Sequence, residues 1–387
     1  MGWLWASRTL SDMGDSIHLL AFNWLLVERS GSAVAVATAS TLWLGGQVLA
    51  GWPGGRLADR WPPVQVLQGT YLIHGLVIAC FAWGVLAQEA PLWSFYVLAF
   101  ILGILSTPID PASRTLLQTL FPQRDQLTQA NGLFSTGMAV AQTTGPILGG
   151  LAFNYLPLGW AFGVNAVSYS LAAIGLLAVR TPVVAMAHEK KKERSSWQEQ
   201  AHLSLILSDI LIPVAAFIWL VAPLFTALLP YLVLKQQGSV LTLGLLQGGL
   251  WTGVGLGLGL GAWLVSRVRH CALWGLVYLG GTCLLAGGFA LVQSWGAVVL
   301  VGGIGLLAGT AYLFLNQVLL DRIDSQNIAG VTGLLGSVLG LGLALSSFLL
   351  GWVVQQVPFD LALGVGACVS FLITLGMGIR VWQTGLK

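Results

Sequence analysis

The feature that most constrains this chain is the recurrence of apolar runs close to 20 residues long, separated by short polar breaks. Runs of about 20 residues span the hydrocarbon of a bilayer when they are helical. Of the 387 residues, 56% are hydrophobic and only 8% are charged, which identifies a polytopic α-helical membrane protein. Strand alternation is absent and the runs are too long for barrel strands, so an outer-membrane barrel is set aside. Twelve spans are predicted, at about 3–27, 34–55, 64–88, 93–114, 128–154, 159–180, 204–233, 241–265, 271–293, 295–320, 328–354 and 360–381.

Charge placement tests this count. With the N-terminus inside, all of the 17 lysines and arginines except Arg29 and Lys235 fall on the cytoplasmic side, as the positive-inside rule requires. The formal charge of +3 then reflects membrane orientation and does not point to nucleic acid. Both termini are expected in the cytoplasm of a cell with this protein in its inner membrane. No cleavable signal is expected, because Arg8, Asp12 and Asp15 interrupt the first apolar run. Cys80, Cys271, Cys283 and Cys368 have no paired spacing and read as small core residues, so no disulfide framework or metal site is predicted. Trp3, Trp5, Trp61, Trp93, Trp160, Trp274, Trp295 and Trp382 fall near span ends and read as an interfacial belt.

The longest polar stretch, 181–203, carries Glu189-Lys190-Lys191-Lys192-Glu193-Arg194 and reads as a cytoplasmic linker between an N-terminal half, 1–180, and a C-terminal half, 204–387. A faint internal repeat supports that division. Asn131-Gly132-Leu133-Phe134 aligns with Thr332-Gly333-Leu334-Leu335, and Gly150 with Gly351. Gly55-Arg56-Leu57-Ala58-Asp59-Arg60 has a degenerate echo in Ala262-Trp263-Leu264-Val265-Ser266-Arg267.

Gly132, Ala141, Gly145, Pro146, Gly149 and Gly150 all lie within the fifth span. A soluble helix would be destabilised by about 1 kcal/mol per interior glycine and about 3 for the proline, whereas in lipid small residues let backbones approach one another. The segment therefore reads as a close-packed, kinked membrane helix. In the eighth span, Gly253, Gly255, Gly257, Gly259 and Gly261 alternate, but no phosphate-loop arrangement follows them. Packing through the set Gly253, Gly257, Gly261 is the reading adopted.

These motifs carry a resemblance. Gly55 with Asp59-Arg60 resembles the loop signature of the major facilitator superfamily, and Gly132 to Gly150 resembles the fifth-helix signature of its drug:proton antiporters, with Ala141 replacing one glycine. Arg8 through Gly14-Asp15, Gly31-Ser32, Pro111-Ala112-Ser113-Arg114 and Leu127 to Leu133 resemble the branch that holds macrolide efflux pumps and the enterobactin exporter. The resemblance implies an all-α membrane fold of two pseudo-symmetric six-helix bundles with a substrate site between them near the midplane. It also implies a cytoplasmic gate at Gly55, Asp59 and Arg60. Two departures weaken that gate: Trp61-Pro62-Pro63-Val64 replaces the usual glycine and basic pair, and Ser266 stands where the second half would need an aspartate.

Ionisable groups inside a membrane are expensive and by default functional candidates. Arg8, Asp12, Asp15 and Asn23 fall within about an 80° sector of the first span, with His18 to one side. This polar stripe is expected to face the central cavity. Asp15 is the first candidate for proton binding, and Asp12 is expected to stay ionised in a local pair with Arg8. The same groups also suit a plainer role, tying helix ends together in wet surroundings. His18 reads as a proton relay or, more simply, as a hydrogen-bonded structural histidine. Asp209 is a further coupling candidate or a helix cap. Asp110 and Arg114 are one turn apart and read as a pair on a bent helix end, either joining the gate or bridging locally. Gln142, Asn165, Tyr169, Trp219, Trp251, Tyr312, Asn316 and Gln317 are amphipathic or hydrogen-bonding groups inside apolar spans and are candidates to line a mainly apolar cavity.

No phosphate-binding loop and no ATPase-sized soluble domain occur, and no catalytic constellation points to an enzyme or a bound cofactor. The expectation is a monomeric secondary transporter in the lipid bilayer that exports a small amphipathic substrate in exchange for protons by alternating access. A lysophospholipid flippase is the alternative within the same fold, because the fourth span and Ala130-Asn131-Gly132-Leu133 also resemble the lysophospholipid transporter. A non-transporting assembly or pigment-handling scaffold is the alternative of another class.

Overall fold

A computed structural model describes residues 2–179, 208–289, 295–322 and 328–384. The linker expected at 181–203 lies outside the described residues, as do the side chains of Asp59 and Asp209. The described residues form fifteen α-helices. In chain order these are α1 Gly2–Ser30, α2 Ala33–Arg60, α3 Pro63–Leu86, α4 Leu92–Ser106, α5 Ile109–Leu120, α6 Arg124–Phe153, α7 Gly159–Leu176, α8 Ser208–Leu220, α9 Ala222–Thr226, α10 Leu229–Lys235, α11 Val240–Val265, α12 Cys271–Gly288, α13 Trp295–Arg322, α14 Ile328–Gln356 and α15 Phe359–Thr384.

Proline chemistry reconciles fifteen helices with twelve predicted spans. The fourth span is α4 and α5, separated at Thr107 and Pro108, where Pro108 has no N–H to continue the ladder. The seventh span is α8, α9 and α10, the last two each carrying a proline (Pro223, Pro230) as their second residue, a position where the missing donor costs nothing. Pro146, by contrast, sits inside an unbroken α6. The second span runs on to Arg60, so Gly55-Arg56-Leu57-Ala58-Asp59-Arg60 is the end of a helix and only Trp61 and Pro62 separate it from α3. This corrects the expectation of a loop there. Among the described residues nine helical stretches, with α4 and α5 counted together as Leu92–Leu120, are long and apolar enough to cross a membrane. Those that fall short are the first, fifth and seventh spans, because α1 and α6 carry polar groups and α8 is short.

One compact unit comprises Met1–Ala187 and Pro230–Gly248. Its core includes Leu26, Leu67, Ile78, Phe95, Leu116, Phe162 and Leu176, all nearly inaccessible, with Tyr231 and Leu234 of α10 packed against it. Here α6 uses its small residues on two sides. A methyl group at Gly137 would strike Thr9, one at Gly145 would strike Ser16, and one at Gly149 would crowd Leu20, all on α1. On the other side, Gly150 faces Val240, Leu241 and Gly244 at the start of α11, and Gly244 in turn meets the Pro146 carbonyl. Ala141 is buried, but Gly132 borders open space.

The second unit comprises His188–Leu229 and Gly249–Lys387. Ala272, Leu276, Leu279, Ala311, Leu315, Val318 and Val381 form an apolar cluster, and Ser370 donates a 3.1 Å hydrogen bond to the Ala216 carbonyl, joining α15 to α8. Cys283 is buried and Cys271 partly so, whereas Cys80 and Cys368 are exposed, which corrects the expectation that all four are core residues.

The internal repeat is most visible in how helices touch. In the first unit a methyl group on Gly46 would strike the Phe100 carbonyl of α4, and one on Gly103 the Trp43 carbonyl of α2. In the second, methyl groups on Gly253 and Gly257 of α11 would strike the carbonyls of Gly302 and Leu306 on α13, and those on Gly305 and Gly309 the carbonyls of Leu250 and Val254. Backbone meets backbone in both units, at the second and fourth spans of each half. Gly261 continues the α11 contact against Leu313 and Thr310, while Gly255 and Gly259 face open space. Gly257→Val should therefore destabilise the purified protein by about 1–3 kcal/mol or more, and Gly255→Val by no more than about 0.5 kcal/mol. Thermal unfolding in detergent measures the difference, and equal melting of the two variants would remove close backbone packing as the role of this stripe.

Candidate functional site

The first unit brings polar groups from α1, α3, α5, α6 and α7 into two adjoining sets. The deeper set centres on Asp15. Asn165 Nδ2 donates to Asp15 Oδ1 at 3.0 Å, and Tyr169 Oη donates to Asp15 Oδ2 at 2.7 Å. Ser168 Oγ donates to Asn165 Oδ1 at 3.1 Å and so sets which way the Asn165 amide points. α1 can approach α7 this closely because Gly14 lies against Ser168 and Asn165, where a methyl group would collide. Among the described residues Asp15 thus has two neutral donors and no cation in direct contact.

Aromatic rings of α3 enclose this set. His74 stacks on Tyr169 with centroids 4.8 Å apart, Tyr71 meets the same ring at 5.5 Å, and His74 Nδ1 lies 3.1 Å from the Thr70 carbonyl. His18 is buried with its ring 4.9 Å from Phe162 and 5.9 Å from Phe22. Its Nδ1 has no hydrogen-bond partner among the described residues. The expectation of a hydrogen-bonded structural histidine is corrected at that atom, because the walls facing it are phenyl rings.

The shallower set is ionic. Arg8 Nε binds both oxygens of Asp12 at 3.0 and 3.2 Å, and an Arg8 terminal nitrogen reaches Asp110 Oδ1 on α5 at 3.1 Å. The local Arg8–Asp12 pair matches expectation. Asp110 does not form the expected pair with Arg114; it faces α1, where the half-buried Arg8 completes its charge balance. Arg8, Asp12, Asp110 and Arg114 line a cavity of about 530 Å³ with Ser113, Gln118, Asn131 and Ser135 on its polar side and Leu117, Leu127, Phe134 and Met138 on its apolar side. Such a lining suits a ligand with one charged end and one greasy one.

The remaining candidates scatter. Asn23 is buried on α1 and Gln142 half-buried on α6. Gly55 borders open space inside α2, whereas its neighbour Gly54 packs tightly on Thr107. Arg60 is exposed, and the side chains of Asp59 and Asp209 lie outside the described residues. In the second unit, Trp219 fits against Gly342 and borders an apolar groove of about 430 Å³ with Leu211, Ile212, Ala215, Ala216, Leu220 and Ile373. Trp251 and Tyr312 are exposed, Asn316 is half-buried, and Gln317 Nε2 donates to Asp321 at 2.8 Å. Sequence reasoning missed Tyr71, His74 and Ser168, although Thr70-Tyr71 and His74 already stand out as polar breaks in an otherwise apolar third span.

Comparison with known proteins places this geometry. The model of the Major Facilitator Superfamily matches residues 4–346. Macrolide efflux protein A of Streptococcus pyogenes is 24% identical over 179 residues, 46% of this chain and 44% of that protein. Puromycin resistance protein pur8 of Streptomyces alboniger is 29% identical over 240 residues, 56% of this chain and 46% of the relative. Multidrug efflux pump Tap of Mycobacterium bovis is 23% identical over 187 residues, 46% and 44% respectively. The matched stretch therefore spans less than half the length of these relatives. Among solved structures, a bacterial homologue of the iron transporter ferroportin in an inward-facing state superposes with TM-score 0.72 at 18% identity, over 97% of this chain and 98% of the other. The nucleoside transporter NupG does so with TM-score 0.70 at 13% identity, again over 97% and 98%. These superpositions speak for the fold. Together with the all-helical, multi-pass architecture, the match over nearly the whole chain places it in the Major Facilitator Superfamily.

Proposed function

We propose that this chain is a secondary active exporter of amphipathic small molecules, working by alternating access and coupled to proton entry through Asp15. The carrying observation is the Asp15 site: a carboxylate inside a membrane bundle, held by Asn165 and Tyr169 without a direct cation. Proton uptake there would remove the charge, add an O–H donor to one oxygen and weaken the bond that oxygen accepts from Tyr169 or Asn165. That change acts on the contact between α1 and α7. Arg8 and Asp12 of the ion set lie on the same helix, one to two turns away, Asp110 joins them from α5, and the set opens on the amphipathic cavity. A proton entering down 100 mV supplies about 2.3 kcal/mol, which sustains roughly fiftyfold accumulation of a neutral solute.

The substrate class is supported by that lining and by relatives named for macrolide efflux, puromycin resistance and multidrug efflux. The proposed location is the bacterial inner membrane with both termini cytoplasmic, following the partition of lysine and arginine. Asp59 and Arg60 at the end of α2, and Asp110 and Arg114 of α5, are the proposed cytoplasmic gate. The two compact units are the proposed moving parts.

Asp15→Asn should lower the initial rate of proton-coupled uptake of a macrolide or puromycin into energised inverted vesicles at least tenfold, while Tyr169→Phe should slow it less. Full coupled transport by Asp15→Asn would remove this carboxylate from the mechanism, and uptake of lysophospholipid in place of drug would favour the flippase reading. Arg8→Gln leaves the half-buried Asp12 without its partner and should lower stability by about 3 kcal/mol, whereas Asp110→Asn removes an exposed carboxylate and should cost under about 1 kcal/mol. Thermal unfolding of the two variants should rank them in that order.

A further inference from the structure

Each unit carries the same pairing of a planar cation and an indole where an exposed apolar helix face ends. In the first, the Arg56 guanidinium lies over the Trp52 ring at 3.7 Å from its centroid. In the second, Arg267 lies over Trp263 at 3.8 Å and donates to the Trp263 carbonyl at 3.2 Å. The sequence repeat aligns Arg60 with Arg267, so the two stacks do not fall on aligned residues. They recur because both second spans end in tryptophan followed by arginine four positions later.

The surroundings fix what these groups face. Leu49 and Trp52 on α2 are 69% and 67% exposed, and Leu256 and Trp263 on α11 are 62% and 56% exposed. Apolar side chains displayed along a membrane helix face acyl chains, and indoles mark the headgroup level. Arg56, Arg60, Arg267 and Arg269 are exposed, and none is paired with a carboxylate among the described residues. Trp61 adds a second exposed indole to the first junction and Trp274 to the second. With Asp59 counted, the first junction has a formal charge of +1, and the second, with neutral His270, has +2.

We infer that the α2–α3 and α11–α12 junctions are each a docking site for the phosphate of an anionic phospholipid, with the stacked arginine as the anchor. Stacking occupies the face of the guanidinium and leaves its N–H edge to bind two phosphodiester oxygens at Arg56. At Arg267, where one terminal nitrogen donates to the Trp263 carbonyl, Nε and the other terminal nitrogen remain for them. The side chain is held in place before the lipid arrives, so less freedom is lost on binding. The indole beneath keeps the cation at headgroup depth, and the exposed leucines on the same helix face receive the acyl chains. The second junction, with its higher charge, binds more tightly.

Native mass spectrometry of the full-length protein, released from nanodiscs of phosphatidylglycerol and phosphatidylcholine, tests this. Wild type should retain two phosphatidylglycerol molecules, Arg56→Gln and Arg267→Gln one each, and the double variant none, each substitution weakening retention about fivefold or more. Arg56→Lys and Arg267→Lys keep the charge but lose the planar stack and should weaken it about two- to fivefold. The lysine variants decide the matter if a glutamine variant fails to fold in phosphatidylcholine. Equal retention by wild type and the double variant, equal retention of phosphatidylcholine, unchanged binding in the lysine variants, or displacement of the lipid by millimolar inorganic phosphate would each overturn the assignment.

Discussion

Hydrocarbon offers no hydrogen-bond partners, and that constraint governs the rest of this structure. Every backbone amide must be satisfied within its own segment, which leaves helices as the building material. Apolar side chains then gain little from meeting each other, because lipid is as apolar as leucine. What remains to hold helices together is close approach, and the chain achieves it by placing glycines where one backbone crosses another. Gly46 and Gly103 do this between α2 and α4, and Gly253, Gly257, Gly305 and Gly309 between α11 and α13. Thr310 adds a hydrogen bond across the second crossing, to the Gly257 carbonyl at 3.0 Å.

The same constraint makes polar side chains inside the bundle informative. Asp15 is tolerated because Gly14 lets α7 come close enough for Asn165 and Tyr169 to reach it. Arg8 is tolerated because two carboxylates from two helices share it. His18 departs from this economy, with a buried nitrogen facing aromatic rings. Satisfied and unsatisfied groups lie on one helix within three turns. The first span therefore falls short of an ordinary apolar span and is the coupling element of the proposed mechanism.

Proline placement separates spans that are interrupted from spans that are continuous. Pro108, Pro223 and Pro230 coincide with breaks, where a preceding helix ends and a short one begins. Pro146 does not break α6, because Gly145 and Gly149 bring α1 alongside on one face and Gly150 brings α11 on another. A helix clamped on two faces has little room to open. The fifth span is thus continuous and packed on two faces, whereas the fourth and seventh are interrupted.

Much of the fold was legible in the sequence. Run length and the distribution of lysine and arginine determined the helical spans and the membrane class, because burial in lipid is paid residue by residue and needs no knowledge of neighbours. The packing set of Gly253, Gly257 and Gly261 was legible for the same reason, since helical periodicity alone puts them on one face. Partners were another matter. Nothing in the spacing of Asp110 and Arg114, one turn apart, says that Asp110 turns to Arg8 on a helix 102 residues away, or that Asn165 and Tyr169 close on Asp15 from 150 and 154 residues away. Those pairings depend on which helices are neighbours and how each is rotated, and only three-dimensional packing decides that.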